Sequence, residues 1–294
     1  MREMPYAGAW TALITPFKAD GSLDEDALRR LVNFQIDNGI TGIVPLGTTG
    51  ESPTMSPQED HRTIEIVVEE TRGRVRVIAG TGSNCTREAV DYTQAAKVAG
   101  ADACLVVAPY YNKPTPEGLK LHYKAIAEVG LPVIVYNIKS RCGINIETDT
   151  LMEMAKDPMI VGVKEASGNI EQMKEVIGRR PVDFTVLSGD DNMTFPLMQS
   201  GGDGIISVAA NIIPSDVTEL VRLAAIGAWK EAEKQNERLA NLFRHMFIET
   251  NPIPLKYCAY RMGLCELSYR LPMCPPTEKS KEALDIMLDE YKLL

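Results

Sequence analysis

One pattern limits the folds open to this sequence more than any other. A short apolar run is followed by a longer amphipathic stretch, and the alternation repeats eight times. The runs, at 12–15, 43–46, 75–79, 104–108, 133–136, 160–164, 184–188 and 204–208, are rich in Val and Ile. They mostly lack polar alternation, which predicts parallel strands buried on both faces. The stretches between them, about 10–15 residues each, predict helices. Several open on a capping signal: Ser22 before Leu-Asp-Glu-Asp, Ser56 before Pro57, Thr86 before Arg-Glu-Ala, Thr115 before Pro116. Eight βα units in a row predict an α/β fold of the (β/α)8 TIM-barrel type. An open doubly wound sheet is disfavoured, because no Gly-x-Gly-x-x-Gly follows the first run.

Past residue 224 the alternation stops. A helix is predicted over 228–248, with Leu239, Leu242, Phe243 and Met246 on one face. Asn-Pro-Ile-Pro (251–254) interrupts it, and further helices are predicted over 255–262 and from about Thr277. We therefore divide the chain into a catalytic barrel, 1–224, and a C-terminal helical appendage, 225–294, that caps the barrel or forms an oligomer surface.

The 31 Lys and Arg against 40 Asp and Glu give a net charge of −9, which argues against nucleic acid as a partner. A small anionic substrate stays open, since a local site can oppose the overall charge. No uncharged stretch is long enough to span a bilayer, and the first residues precede no apolar signal core. Cys85, Cys104, Cys142, Cys258, Cys265 and Cys274 show no Cys-x-x-Cys spacing and read as reduced thiols, so the expected location is the cytoplasm. Three scattered histidines offer no metal pattern, and no Gly-x-Ser-x-Gly marks a serine hydrolase.

In a βα barrel the chemistry sits at the C-terminal strand ends. Gly47-Thr48-Thr49-Gly50-Glu51-Ser52 suits either an anion-holding turn or a plain capping turn. Tyr110 and Tyr111 suit proton relays or interface anchors. Tyr136 shares a barrel face with Ile134, as a functional phenol or as packing. Arg141 is a carboxylate fork or a surface charge. Gly189, between Ser188 and Asp190, belongs to a substrate-binding turn or a helix cap. The sharpest feature is Ile160-Val161-Gly162-Val163-Lys164, a buried strand ending in lysine, with Gly162 removing bulk on the same face. Burial lowers a lysine's pKa, and a neutral lysine attacks ketones to form imines; the bland reading has Lys164 snorkelling out toward Glu165.

Taken in order, these strand ends resemble the dihydrodipicolinate synthase and N-acetylneuraminate lyase family of pyruvate-dependent barrels. The resemblance runs over nearly the whole chain. It is carried by Thr-Ala-Leu-Ile-Thr-Pro-Phe (11–17), Gly-Thr-Thr-Gly-Glu-Ser (47–52), Ala-Gly-Thr-Gly-Ser-Asn (79–84) and Pro-Tyr-Tyr-Asn-Lys-Pro (109–114). Tyr-Asn (136–137), Val-Lys-Glu-Ala-Ser-Gly (163–168), Leu-Ser-Gly-Asp-Asp (187–191) and Asn-Pro-Ile-Pro-Leu-Lys (251–256) complete it.

The resemblance implies an imine between pyruvate and Lys164, needing neither metal nor cofactor. It implies a hydroxyl relay of Tyr136, Thr48 and Tyr111, with Tyr111 lent by a neighbouring subunit. Thr48 and Thr49 would hold the pyruvate carboxylate, and the backbone of Ile206 would border the imine. A homotetramer of two tight dimers is implied. Thr48 and Arg141 are similar to the synthase branch, in which the arginine meets the carboxylate of L-aspartate 4-semialdehyde on the way to diaminopimelate and lysine. Lys139 and Cys142 stand where that branch usually has Pro and Thr. The alternative is a pyruvate-dependent aldolase or dehydratase of the same family acting on sugar acids. Asn84, Glu88 and Tyr110 match the family's lysine effector site, but Pro57 and Asp60 stand near where lysine-inhibited relatives carry histidines.

Overall fold

The computed structural model describes residues 4–294; residues 1–3, where the search for an export signal starts, lie outside the described residues. The strands are β1 (Gly8–Ala12), β2 (Gly42–Val44), β3 (Arg76–Gly80), β4 (Ala103–Val107), β5 (Val133–Asn137), β6 (Ile160–Glu165), β7 (Thr185–Ser188) and β8 (Gly204–Ser207). They pair in parallel in sequence order, and β8 returns to β1 to close the barrel. Outside them pack α1 (Glu25–Asp37), α2 (Pro57–Thr71), α3 (Thr86–Ala99), α4 (Pro116–Ala127) and α6 (Thr148–Met154), while the short α5 (Lys139–Cys142) follows β5 at the C-terminal strand ends. The outer layer continues through α7 (Ile170–Arg179), α8 (Thr194–Gln199) and α9 (Pro214–Ala225). Helices α10 (Trp229–His245), α11 (Ile253–Arg261) and α12 (Glu278–Glu290) follow. Among the described residues no helix is long and apolar enough to cross a membrane.

Strand β1 lies ahead of the expected 12–15. Leu13 and Ile14 are buried in a loop instead: the Asn211 side chain accepts from the Ile14 N–H (3.0 Å) and donates to the Ala12 carbonyl (2.7 Å). A buried loop carries the same apolar signature as a strand end. Two capping expectations also move. Asp24, not Ser22, caps α1 by accepting from Ala27 N–H (3.0 Å), because Ser22 sits in a small hairpin closed by the Phe17–Leu23 bridge. Helix α3 begins at Thr86, whose hydroxyl meets His122 Nδ1 (3.0 Å) rather than capping. Ser56 forms the full capping box with Glu59, and Thr115 caps α4 with Pro116 at the first turn.

The strands separate two cores. Trp10, Ala12, Val44, Ile78, Leu105, Ile134, Tyr136, Leu187 and Ile206 fill the barrel interior. The larger cluster lies between strands and helices. The two-residue period decides which side each residue joins: Ile134 and Tyr136 face in, Val133 and Val135 face out. Past α10 the chain turns back over the barrel, carrying Phe247 and Asn251 to the C-terminal ends of the strands.

Candidate active site

Register alone places the central pair. Strand β6 aligns Gly162 with Ile134 and Lys164 with Tyr136, so lysine and phenol end adjacent strands on the interior face. Lys164 is 5% exposed, and its Nζ stands 4.3 Å from the centroid of the Tyr136 ring. It does not snorkel. Burial, the largest effect, lowers its pKa to about 7; the Asp191 carboxylate opposes the drop and the Arg141 charge adds to it. Burial also pushes the Tyr136 hydroxyl well above its ordinary value, against a smaller lowering by Arg141. At neutral pH the site therefore combines a substantial fraction of neutral amine with an intact phenol.

Two glycines shape this lysine, in a way the strand pattern described only partly. A Cβ on Gly162 would lie 2.7 Å from the Thr185 carbonyl oxygen, so that glycine lets β7 approach β6 rather than making room for the ammonium. Gly189 does the second job. A Cβ there would sit 3.1 Å from Lys164 Cγ and Cε, so its bare backbone is the wall against which the lysine stem packs.

The outer face of the same two strands is tied together. Asn137 aligns with Glu165, and Asn137 Nδ2 donates to Glu165 Oε2 (3.1 Å). Asn137 Oδ1 accepts from Ile146 N–H (3.0 Å), and Glu165 Oε1 accepts from Ser167 N–H (2.7 Å). Glu165 is thus committed behind the barrel wall, where burial raises its pKa, and is no partner for Lys164.

Lys164, Tyr136, Thr48, Thr49, Arg141 and Gly189 line one cavity of about 50 Å³. It adjoins a larger one of about 380 Å³, and Thr48, Tyr136 and Arg141 belong to both walls. The small cavity holds the Lys164 amine; the large one approaches it from the side of Asp60, Glu88 and Tyr110. Asp60 there has a buried oxygen without a hydrogen-bond partner, and burial raises its pKa to about 7. Thr48 and Thr49 open a one-turn 3₁₀ helix on Gly47 that presents hydroxyl and N–H groups. Arg141, on α5, donates from Nη2 to the Asn251 carbonyl (3.0 Å).

Two expected residues are not brought to this cavity within one chain. Tyr111 is 90% exposed, in a left-handed conformation (φ 71°), and lines neither cavity. Ile206 is fully buried in the barrel interior, while Val208, two residues on, reaches the cavity wall. Two further residues, Asp191 and Asn251, stand in motifs the sequence reading quotes but receive no individual role there. Asp191 places a buried carboxylate on Ser207 Oγ (2.5 Å) and Val208 N–H (3.1 Å), which ties β7 to β8. Its pKa is raised to about 6, mainly by burial. Asn251 donates from Nδ2 to Thr49 Oγ1 (3.0 Å), and its Oδ1 is buried without a partner. The acidic dipeptide of Ser-Gly-Asp-Asp and the prolines around Asn251 were the available signals, but both also read as caps and turns.

The chain was compared with known proteins. The profile described as "Dihydrodipicolinate synthetase family" matches residues 5–291. The 4-hydroxy-tetrahydrodipicolinate synthase of Chloroherpeton thalassium is 49% identical over 296 residues, covering 100% of this chain and 98% of that one. The enzyme of the same name from Geotalea uraniireducens is 48% identical, covering 98% and 100%. Among solved structures, dihydrodipicolinate synthase from Aquifex aeolicus superposes with a TM-score of 0.97 at 44% identity, covering 98% of this chain and 99% of that one. The chloride-inhibited dihydrodipicolinate synthase from Acinetobacter baumannii, complexed with pyruvate, superposes at 0.96 with 42% identity, covering 98% and 99%.

Proposed function

The chain belongs to the dihydrodipicolinate synthetase family and catalyses condensation of pyruvate with L-aspartate 4-semialdehyde for lysine biosynthesis; we propose that it does so through an imine on Lys164. One observation carries this mechanism: a buried lysine, its pKa lowered to about 7, stacked 4.3 Å from a buried tyrosine at the C-terminal end of a closed barrel. The neutral amine attacks the pyruvate ketone. Loss of one water leaves the imine, whose cationic form draws electrons from the adjacent methyl group. A proton leaves that carbon, and the resulting enamine attacks the semialdehyde carbonyl. The semialdehyde's own amine then displaces Lys164 as the ring closes, which regenerates the enzyme.

Tyr136 and Thr48 are the relay for these proton transfers, and Tyr111 of a neighbouring subunit extends it in a homotetramer. Thr48 and Thr49 bind the pyruvate carboxylate. Arg141 binds the semialdehyde carboxylate, Gly189 borders the reacting carbon, and the protein works in the cytoplasm. Residues 1–224 supply the reacting groups and 225–294 brace them. Borohydride reduction with pyruvate present tests the mechanism. We expect the Lys164 peptide to gain the mass of a reduced pyruvyl group; an unmodified peptide, with turnover intact, refutes the imine.

A further inference from the structure

The turn that carries Thr48 and Thr49 is gripped by residues far away in sequence. Thr49 is held by Asn251, and immediately beyond the turn Glu51 takes a left-handed conformation (φ 54°) unusual for a non-glycine residue. The Glu51 carboxylate meets Lys256 Nζ, from α11, at 2.5 Å; the two side chains are 1% and 0% exposed. The other carboxylate oxygen accepts from Arg270 N–H (3.4 Å). The Lys256 ammonium also stands 4.5 Å from the centroid of Phe17 and 5.3 Å from that of Tyr269. Apolar side chains fill such a space at least as stably as a buried ion pair does. What the charges add is one enforced distance and direction, from α11 to the turn.

We propose that Glu51 and Lys256 are positioning residues for the condensation: their ion pair anchors the Thr48–Thr49 turn in the conformation that receives the pyruvate carboxylate. Neither side chain lines the cavity, so neither touches reacting atoms. The inference rests on the reading that Thr48 and Thr49 hold that carboxylate. Because Arg141 lies on α5 and meets Asn251 only at its backbone carbonyl, the semialdehyde should be affected much less than pyruvate.

Two variants of the full chain test this. Glu51→Asp keeps both charges but shortens the tether by one methylene. The double variant Glu51→Gln with Lys256→Met removes the tether while leaving no buried charge unpaired. Each is followed by its thermal midpoint, by KM for both substrates, and by the pyruvate concentration that half-saturates borohydride trapping on Lys164. We expect both to fold, with half-saturating pyruvate raised about 5- to 20-fold and the semialdehyde KM within about twofold. Recovery of the parental midpoint in the double variant without recovery of pyruvate affinity separates positioning from mere support. Either folded variant with pyruvate affinity within about twofold of the parent overturns the proposal. So does failure of Glu51→Asp to fold, which makes the pair a structural strut. Failure of the parent itself to trap pyruvate refutes the underlying reading instead.

Discussion

A lysine works as a nucleophile only in its unprotonated fraction, and the burial of Lys164 decides that fraction. With its pKa near 7, kcat/KM for pyruvate should rise about tenfold per pH unit below 7 and flatten above it. A profile still climbing at pH 10 would mean that the lysine is not desolvated. The same shift costs stability. The folded state holds this proton less firmly than the unfolded chain, so stability is lowest below pH 7 and recovers as pH rises from about 7 toward 10.5. Lys164→Met should therefore be inactive yet more stable at pH 6 by about 0.5–2 kcal/mol, a gain visible in the thermal midpoint that shrinks above pH 10. Removing the guanidinium of Arg141 deletes charge-assisted bonds worth about 1.5–3 kcal/mol. Arg141→Ala should thus raise the semialdehyde KM about 10- to 100-fold with far less effect on the pyruvate KM; equal losses would show that Arg141 is not the aldehyde's clamp.

At the level of elements, the two glycines flanking the lysine strand should fail differently. In Gly162→Ala the new methyl meets backbone of β7, which cannot yield without parting the strands, so we expect a large drop in midpoint. In Gly189→Ala it meets the Ala166 methyl (2.7 Å) and the lysine stem, side chains rather than backbone; the drop in midpoint should be smaller while imine trapping slows. Equal destabilisation by both would remove the distinction. This contrast also marks what the sequence exposes. Lys164 and Tyr136 stand out in the sequence because a charge or phenol closes an apolar run, and Arg141 because it is a fork donor on the loop after such a run. The division of labour between Gly162 and Gly189 does not, since it depends on which neighbouring chain passes within van der Waals reach. Strand β1 was misplaced for a related reason, burial of Leu13 and Ile14 by a loop. Asn251 and the Glu51–Lys256 pair join residues about 200 positions apart, and such contacts leave no periodic or local trace.

For the whole molecule, the outward position of Tyr111 makes a test of assembly possible. Lys164→Ala and Tyr111→Phe should each be nearly inactive alone. If the tyrosine is lent between subunits, mixing the two after reversible dissociation rebuilds some intact sites, about a quarter of the total at equal mixing. No recovery in mixed oligomers would place the tyrosine's role within its own chain or nowhere. The two hydrogen bonds of Asn251, to Thr49 and from Arg141, have a consequence in time as well as in space. Translation delivers the chain from its first residue to its last. By the time β8 has emerged, Lys164, Tyr136, Thr49 and Arg141 are already outside the ribosome, and the last two still lack their Asn251 contacts. On the proposed mechanism, a nascent barrel should therefore not turn over pyruvate until the final quarter of the polypeptide folds back over the strand ends.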